Sequence, residues 1–256
     1  LQITTGIQNT LIGAATGDAL TTGSFNVAIG YEALTTEDAH GRNIAIGRYA
    51  LRDQNAGADA YNIAIGFNAG ENVTTGVQNT IIGGLAGDAL TTGSDNVALG
   101  YQALSAEDTG GRNVAIGFQA LKAANYDGNA YNTVIGFGAG TIVTTGQQNV
   151  LIGGLAGNSL TTGHSNVAIG MQALEAEDAH GRNIAIGQEA LQALNAGTEG
   201  YNIAMGYQAG HLMTTGTFNT LIGGFAGDAI TTGTFNTTLG YATGGAITTG
   251  EQNTLI

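Results

Sequence analysis

The chain has 256 residues, of which 44 are Gly and none is Pro, Cys or Trp; 6 basic side chains face 19 acidic ones, a net charge of −13. The Gly share is far above the usual ~7%, but it lacks the every-third-residue rule of collagen, and 43% hydrophobic residues exclude a solvated disordered tail. One Lys and five Arg make no basic stripe for nucleic acid, no thiol offers a disulfide or metal thiolate, and Gly, Asn or Thr breaks every apolar run short of the roughly 18 residues of a membrane span.

Self-similarity organises the rest. A pentapeptide of the form Asn–β-branched–small or apolar–aliphatic–Gly starts at Asn9, Asn26, Asn43 and Asn62 and returns 70 residues later at Asn79, Asn96, Asn113 and Asn132. It continues from Asn149 to Asn236 on the same 17, 17, 19, 17 spacing, fourteen complete copies, and a fifteenth at Asn253 is cut short by the end of the chain. Seventeen residues are too few for a helical pair or a propeller blade. The β-branched residue after Asn and the aliphatic residue two further on alternate with period two, which predicts a short strand with those two positions on one side. The closing Gly (Gly13, Gly30, Gly47, Gly66 and their equivalents) predicts a corner where a Cβ would clash or φ is positive. A second short strand is expected around the residue seven after each Asn, Ala except at Thr16 and Thr243, followed by a polar turn such as Thr-Thr-Gly. The fold class is therefore all-β, a parallel β-solenoid of 17- and 19-residue coils. Residues 1–256 read as one repetitive segment, and stacking at roughly 4.8 Å per strand makes a rod on the order of 70 Å.

Two kinds of coil alternate. Those from Asn9 and Asn62 carry Leu20 and Val73 eleven positions on, while those from Asn26 and Asn43 carry Leu34 and Leu51 eight positions on. The middle strand position forms a column that includes Ala28, Ala45, Ala98, Ala115, Ala168 and Ala185. If the flanking pair fills the coil, this column lies outside it, and an exposed apolar column is a reason to expect partner chains in a coaxial oligomer. Both ends cut through a coil, so a longer array is expected.

At NVAIGYQAL, NIAIGQEAL and TTGxxNTLIGG the sequence resembles the repeats of trimeric β-roll fibres: head domains of trimeric autotransporter adhesins and, more closely, shaft repeats of bacteriophage tail fibres. The resemblance covers essentially the whole chain. It implies a left-handed β-roll, a homotrimer and an extracellular place on a virion or cell surface. The function it implies is structural: a shaft or head that holds a region binding host-surface glycan or protein. Coils of 17 or 19 residues are longer than typical adhesin-head coils.

Several residues invite chemistry. Glu37, Asp38, His40 and Arg42, repeated as Glu177, Asp178, His180 and Arg182, resemble an acid–base cluster, but the middle copy keeps Glu107, Asp108 and Arg112 without a His. The expectation is a solvated turn with an Arg–carboxylate contact, and neither an enzyme nor a catalytic residue. Asp18, Asp88 and Asp228 recur out of register with calcium-solenoid repeats, so no metal and no cofactor is expected. The Gly-rich stretch from Gly136 lacks the context of a phosphate loop. Paired Thr at one corner (Thr21–Thr22, Thr74–Thr75, Thr91–Thr92 and onward) raise ice binding as the rival function, though the ladder is interrupted every second pair of coils. Tyr61, Tyr131 and Tyr201, each just before a strand, are the candidates for surface recognition by stacking on a glycan.

Overall fold

The computed structural model of the chain describes residues 3–256. It is a parallel β-solenoid of about fourteen turns with one short strand per turn and no helix. The chain divides into two compact units, Leu1–Tyr131 and Asn132–Ile256. The first holds β1 (Thr10–Ile12), β2 (Val27–Ile29), β3 (Ile44–Ile46), β4 (Ile63–Ile65), β5 (Thr80–Ile82), β6 (Val97–Leu99) and β7 (Val114–Ile116). The second holds β8 (Thr133–Ile135), β9 (Val150–Ile152), β10 (Val167–Ile169), β11 (Ile184–Ile186), β12 (Ile203–Met205), β13 (Thr220–Ile222), β14 (Thr237–Leu239) and β15 (Thr254–Leu255). Within each unit every strand pairs in parallel with the next, like position on like position: Ala28 opposite Ala45 in the first, Ala168 opposite Ala185 in the second.

The Asn that opens each pentapeptide locks that register. Its side chain is buried, and its Oδ1 accepts the backbone N–H of the next Asn, as from Asn79 to Asn62 at 2.8 Å and from Asn96 to Asn79 at 3.0 Å. In the 17-residue coils its Nδ2 donates to a carbonyl fourteen residues on, three residues before the next Asn: Asn79 to Gly93 at 2.9 Å, Asn149 to Gly163 at 2.9 Å. Asn suits the place because one short side chain offers both a donor and an acceptor.

The closing Gly has a backbone reason. Gly66 sits at φ +143°, and a Cβ there would lie 2.5 Å from the carbonyl oxygen of Gly83 in the next coil. The segment after it is a run of tight turns instead of the second strand expected from the sequence. Ala50 N–H donates to the Gly47 carbonyl and Val73 N–H to the Gly70 carbonyl, each closing a turn of four residues. Non-Gly residues take left-handed φ in these turns and just before each Asn, among them Phe25 at 62°, Leu34 at 52° and Tyr61 at 54°. Such a backbone costs an L-residue roughly 1–2 kcal/mol. Coil-to-coil hydrogen bonds hold it, such as Phe25 N–H to the Ile7 carbonyl at 3.1 Å and Leu34 N–H to the Ala50 carbonyl at 3.0 Å.

The strand faces are opposite to the sequence-based expectation. Ala28, Ala45, Ala98, Ala115, Ala168 and Ala185 are all 0% exposed and point into the coil. They are therefore not the column that meets partner chains. The flanking residues, such as Val27 and Ile29 or Ile44 and Ile46, are half-buried on the outside. Three inward positions share the interior: the strand centre, and the residues eight and eleven after Asn. Their volumes compensate. In the coils from Asn26, Asn43, Asn96 and Asn113 the strand centre is Ala28, Ala45, Ala98 or Ala115 and the eighth position is a buried Leu, namely Leu34, Leu51, Leu104 and Leu121; in the coil from Asn62 both are small, Ala64 and Gly70, and Leu51 and Ile81 of the adjoining coils close on Gly70. Where the strand centre is Ile81 or Leu151, the eighth is Gly87 or Gly157, and a Cβ on either would press 2.9 or 2.8 Å against a Leu methyl. The alternation of coil types is thus a packing requirement: a cross-section this small admits a limited volume per layer.

Replacing Asn79 by Ala should leave the Asn96 N–H and the Gly93 carbonyl buried without their partner, since both now bond the Asn79 side chain. The expected loss is about 2–4 kcal/mol, read as a lowered urea midpoint.

Candidate functional site

Outward residues decide what either unit can bind. Along the first, the position after Asn and the position two further on make two ladders, Thr10, Val27, Ile44, Ile63, Thr80, Val97, Val114 and Ile12, Ile29, Ile46, Ile65, Ile82, Leu99, Ile116. Neither ladder carries a charge, and the second unit repeats both. They are flanked in sequence by large exposed side chains: Phe25 and Tyr61 on one side, Tyr31, Phe67 and Tyr101 on the other.

Tyr61, Tyr131 and Tyr201 are 53%, 51% and 45% exposed. Each belongs to the column just before Asn and is held by the Arg one coil earlier. Arg112 Nη1 donates to the Tyr131 hydroxyl at 2.6 Å and Arg182 Nη1 to the Tyr201 hydroxyl at 2.7 Å, while the Arg42 guanidinium lies 4.8 Å from the Phe25 ring centre and 5.6 Å from that of Tyr61. In the second unit Tyr201, Phe218 and Phe235 stack nearly parallel at 5.1 and 4.9 Å. The column thus presents oriented aromatic faces and edges, with cation–π contacts between coils. Phe225 and Tyr207, 5.1 Å apart, extend aromatic cover to the other flank.

The acidic corner differs from the solvated turn expected. Glu37, Glu107 and Glu177 are 0% exposed and stand eleven residues after Asn, the interior position that Leu20, Leu90 and Leu160 occupy one coil earlier. Glu37 Oε1 accepts the His40 backbone N–H at 3.0 Å; Glu107 Oε1 accepts those of Gly110 at 2.7 Å and Asp108 at 3.1 Å. Burial pushes the Glu107 carboxyl up to about 7, against the lowering by these backbone donors. Glu37 and Glu177 are raised by burial too. The Arg–carboxylate contact lies elsewhere: Arg42 Nε bonds Asp59 Oδ2 at 2.7 Å, which holds the Asp59 carboxyl below its usual range. The sequence signal that this Glu is interior was its register with Leu20, Leu90 and Leu160.

The Thr pairs are engaged in the fold. Thr21 Oγ1 donates to the Asp38 carbonyl at 2.9 Å, Thr91 Oγ1 to that of Asp108 at 3.0 Å and Thr161 Oγ1 to that of Asp178 at 2.8 Å. Asp18, Asp88 and Asp228 stand apart from the two carboxylate–imidazole clusters, Glu37–Asp38–His40 and Glu177–Asp178–His180, that could hold an ion among the described residues. No protein-family model matches the chain, and no curated protein matches it.

Glu107 is protonated more readily folded than unfolded, where a Glu titrates near 4.5. Between those values the folded state binds the extra proton, so its contribution to stability is full below about pH 4.5 and is lost as pH rises toward about 7. The loss is on the order of 3 kcal/mol. Glu107→Gln should remove this part of the pH dependence and raise the urea midpoint at pH 8 relative to the parent chain.

Proposed function

We propose that this chain is a structural, non-catalytic segment of an extracellular fibre, a shaft that associates with copies of itself and carries a recognition surface, most like a phage tail fibre. The observation that carries the reading is the pair of outward apolar ladders on each unit. Seven strands at roughly 4.8 Å make a face about 30 Å long, and soluble monomers seldom leave a contiguous apolar face of that extent open. A second copy is the occupant that fits best, because its ladders have the same axial period and can interdigitate coil by coil. Three copies around one axis follow the β-roll resemblance, with the outward ladders, not the interior Ala column, as the contact.

Recognition falls to what such an assembly leaves outside. Tyr61, Tyr131 and Tyr201 offer faces fixed by Arg, the arrangement suited to stacking on a host-surface sugar. A bacterial trimeric adhesin would use the same surfaces for the same ends and is the alternative reading. Ice binding is disfavoured because a lattice match needs hydroxyls free to meet water, and the first Thr of each corner pair spends its hydrogen on a backbone carbonyl.

The experiment is a mass measurement in solution. The parent chain should run as a trimer near 77 kDa, three times the 25.7 kDa chain, and Ile46→Asp with Ile116→Asp should give folded monomers with an unchanged β spectrum. A parent chain that is monomeric at micromolar concentration overturns the assembly. Tyr131→Ala should keep the trimer while weakening attachment to a glycan-bearing surface.

A further inference from the structure

At two corners of the solenoid an imidazole nitrogen is left without a partner beside a buried carboxylate whose Oε1 accepts the His backbone N–H, at 3.0 Å from His40 and 3.3 Å from His180; Glu177 Oε2 also accepts the Ala196 N–H at 3.4 Å. At the first, Glu37 is 0% exposed and its Oε2 has no hydrogen-bond partner. The His40 side chain is 31% exposed, but its Nδ1 is shielded and unpartnered, 3.7 Å from Glu37 Oε1. At the second, His180 Nδ1 is again shielded and unpartnered, 3.5 Å from Glu177 Oε1. An N–H···O hydrogen bond needs about 2.7–3.2 Å, so neither pair satisfies the imidazole. Two ligands of a tetrahedral zinc ion, each at roughly 2.0–2.1 Å, stand about 3.4 Å apart. The observed spacings, 3.7 and 3.5 Å, lie close to it. Asp38 and Asp178 each add a carboxylate oxygen, and the three donors at either corner lie within 4.8 Å of one another.

We propose that Glu37–Asp38–His40 and Glu177–Asp178–His180 each bind one divalent first-row transition ion, of which Zn²⁺ is the probe, with water completing the shell. One imidazole nitrogen with two carboxylate oxygens suits that class better than Ca²⁺ or Mg²⁺, which take all-oxygen shells. The imidazole binds as the neutral form through Nδ1, leaving its proton on Nε2. The chain contains its own control. The equivalent middle corner has Gly110 where the others have His40 and His180, and there Glu107 Oε1 accepts two backbone N–H groups, so the corner folds without an imidazole. This site is independent of the fibre reading: it concerns the corner and not the outward ladders.

The test is ion stoichiometry on the metal-stripped chain, by titration calorimetry and by metal analysis after gel filtration. The parent chain should retain two Zn²⁺ per chain and no Ca²⁺. His40→Gly or His180→Gly, the residue of the middle corner, should leave one, and the double variant none, with the metal-free β spectrum unchanged. His40→Ala serves if the Gly variant folds poorly. Retention of fewer than one Zn²⁺ by the parent chain overturns the proposal. So does retention of two by the double variant, or a loss that follows His164→Ala and His211→Ala instead.

Discussion

Everything in this fold depends on one buried contact that recurs along the stack: the Asn Oδ1 takes the backbone N–H of the next Asn, and in the 17-residue coils its Nδ2 gives an N–H to a carbonyl of the neighbouring coil. Because Asn62, Asn79 and Asn96 are linked Oδ1 to backbone N in sequence, no coil can slip by a residue without breaking both this bond and the Nδ2 bond to the neighbouring coil. Parallel strands of three residues would otherwise have weak register, since a short strand with apolar side chains on both faces loses little by sliding. The coil period is thus enforced from inside. Insertions are allowed only where they leave this contact intact. Between Asn43 and Asn62 two extra residues bulge outward around Gly57, where a Cβ would meet nothing within 4 Å, and Asn62 N–H still reaches Asn43 Oδ1 at 3.1 Å. The bulge has a cost: with the usual acceptor carried away, Asn43 Nδ2 is left buried without a partner.

Given fixed register, the interior becomes a volume problem solved layer by layer. Ala with Leu, or a larger strand residue with Gly, fills a cross-section that the backbone does not vary. Neighbouring layers share the space as well. A Cβ on Gly70 would meet Ile81 of the following coil at 2.9 Å and Leu51 of the preceding one at 3.3 Å. Coil types consequently cannot be shuffled freely.

The repeat, the strand and the closing Gly were legible in the sequence because each is a local pattern with a local cause. Which strand face is interior was not. Alternation separates two faces but does not rank them when both are apolar. The deciding signal was non-local: Leu eight residues after Asn occurs with Ala at the strand centre, as in Ala28 and Leu34, while Ile81 or Leu151 accompanies Gly; Ala64 and Ala204, which also accompany Gly, blur it. The second segment was misjudged as a strand because left-handed φ at residues such as Leu34 or Tyr49 has no signature in residue type. Glu37 sits in a column otherwise filled by residues such as Leu20, although carboxylates are mostly exposed. A carboxylate survives there because it caps the backbone of its own corner, which an apolar residue could not do.

These constraints leave the outer columns as the part of the molecule free to diversify. The position before Asn keeps left-handed φ whether it holds Phe25, Arg42, Tyr61, Gln78 or Asp95. Its side chain contributes nothing to register, which the next residue already fixes, so its identity can change without refolding the coil. The strand-flanking ladders behave oppositely: their backbone is equally fixed, yet they hold only Thr, Val, Ile, Leu or Met across both units. Solvent exposure alone would not restrict them so, since a half-exposed strand position tolerates Lys, Glu or Ser. A restriction of residue type without a restriction from the coil's own core points to packing against something outside the coil. In the proposed fibre the restricted ladders would be the surface for assembly, and the variable column the surface left for recognition.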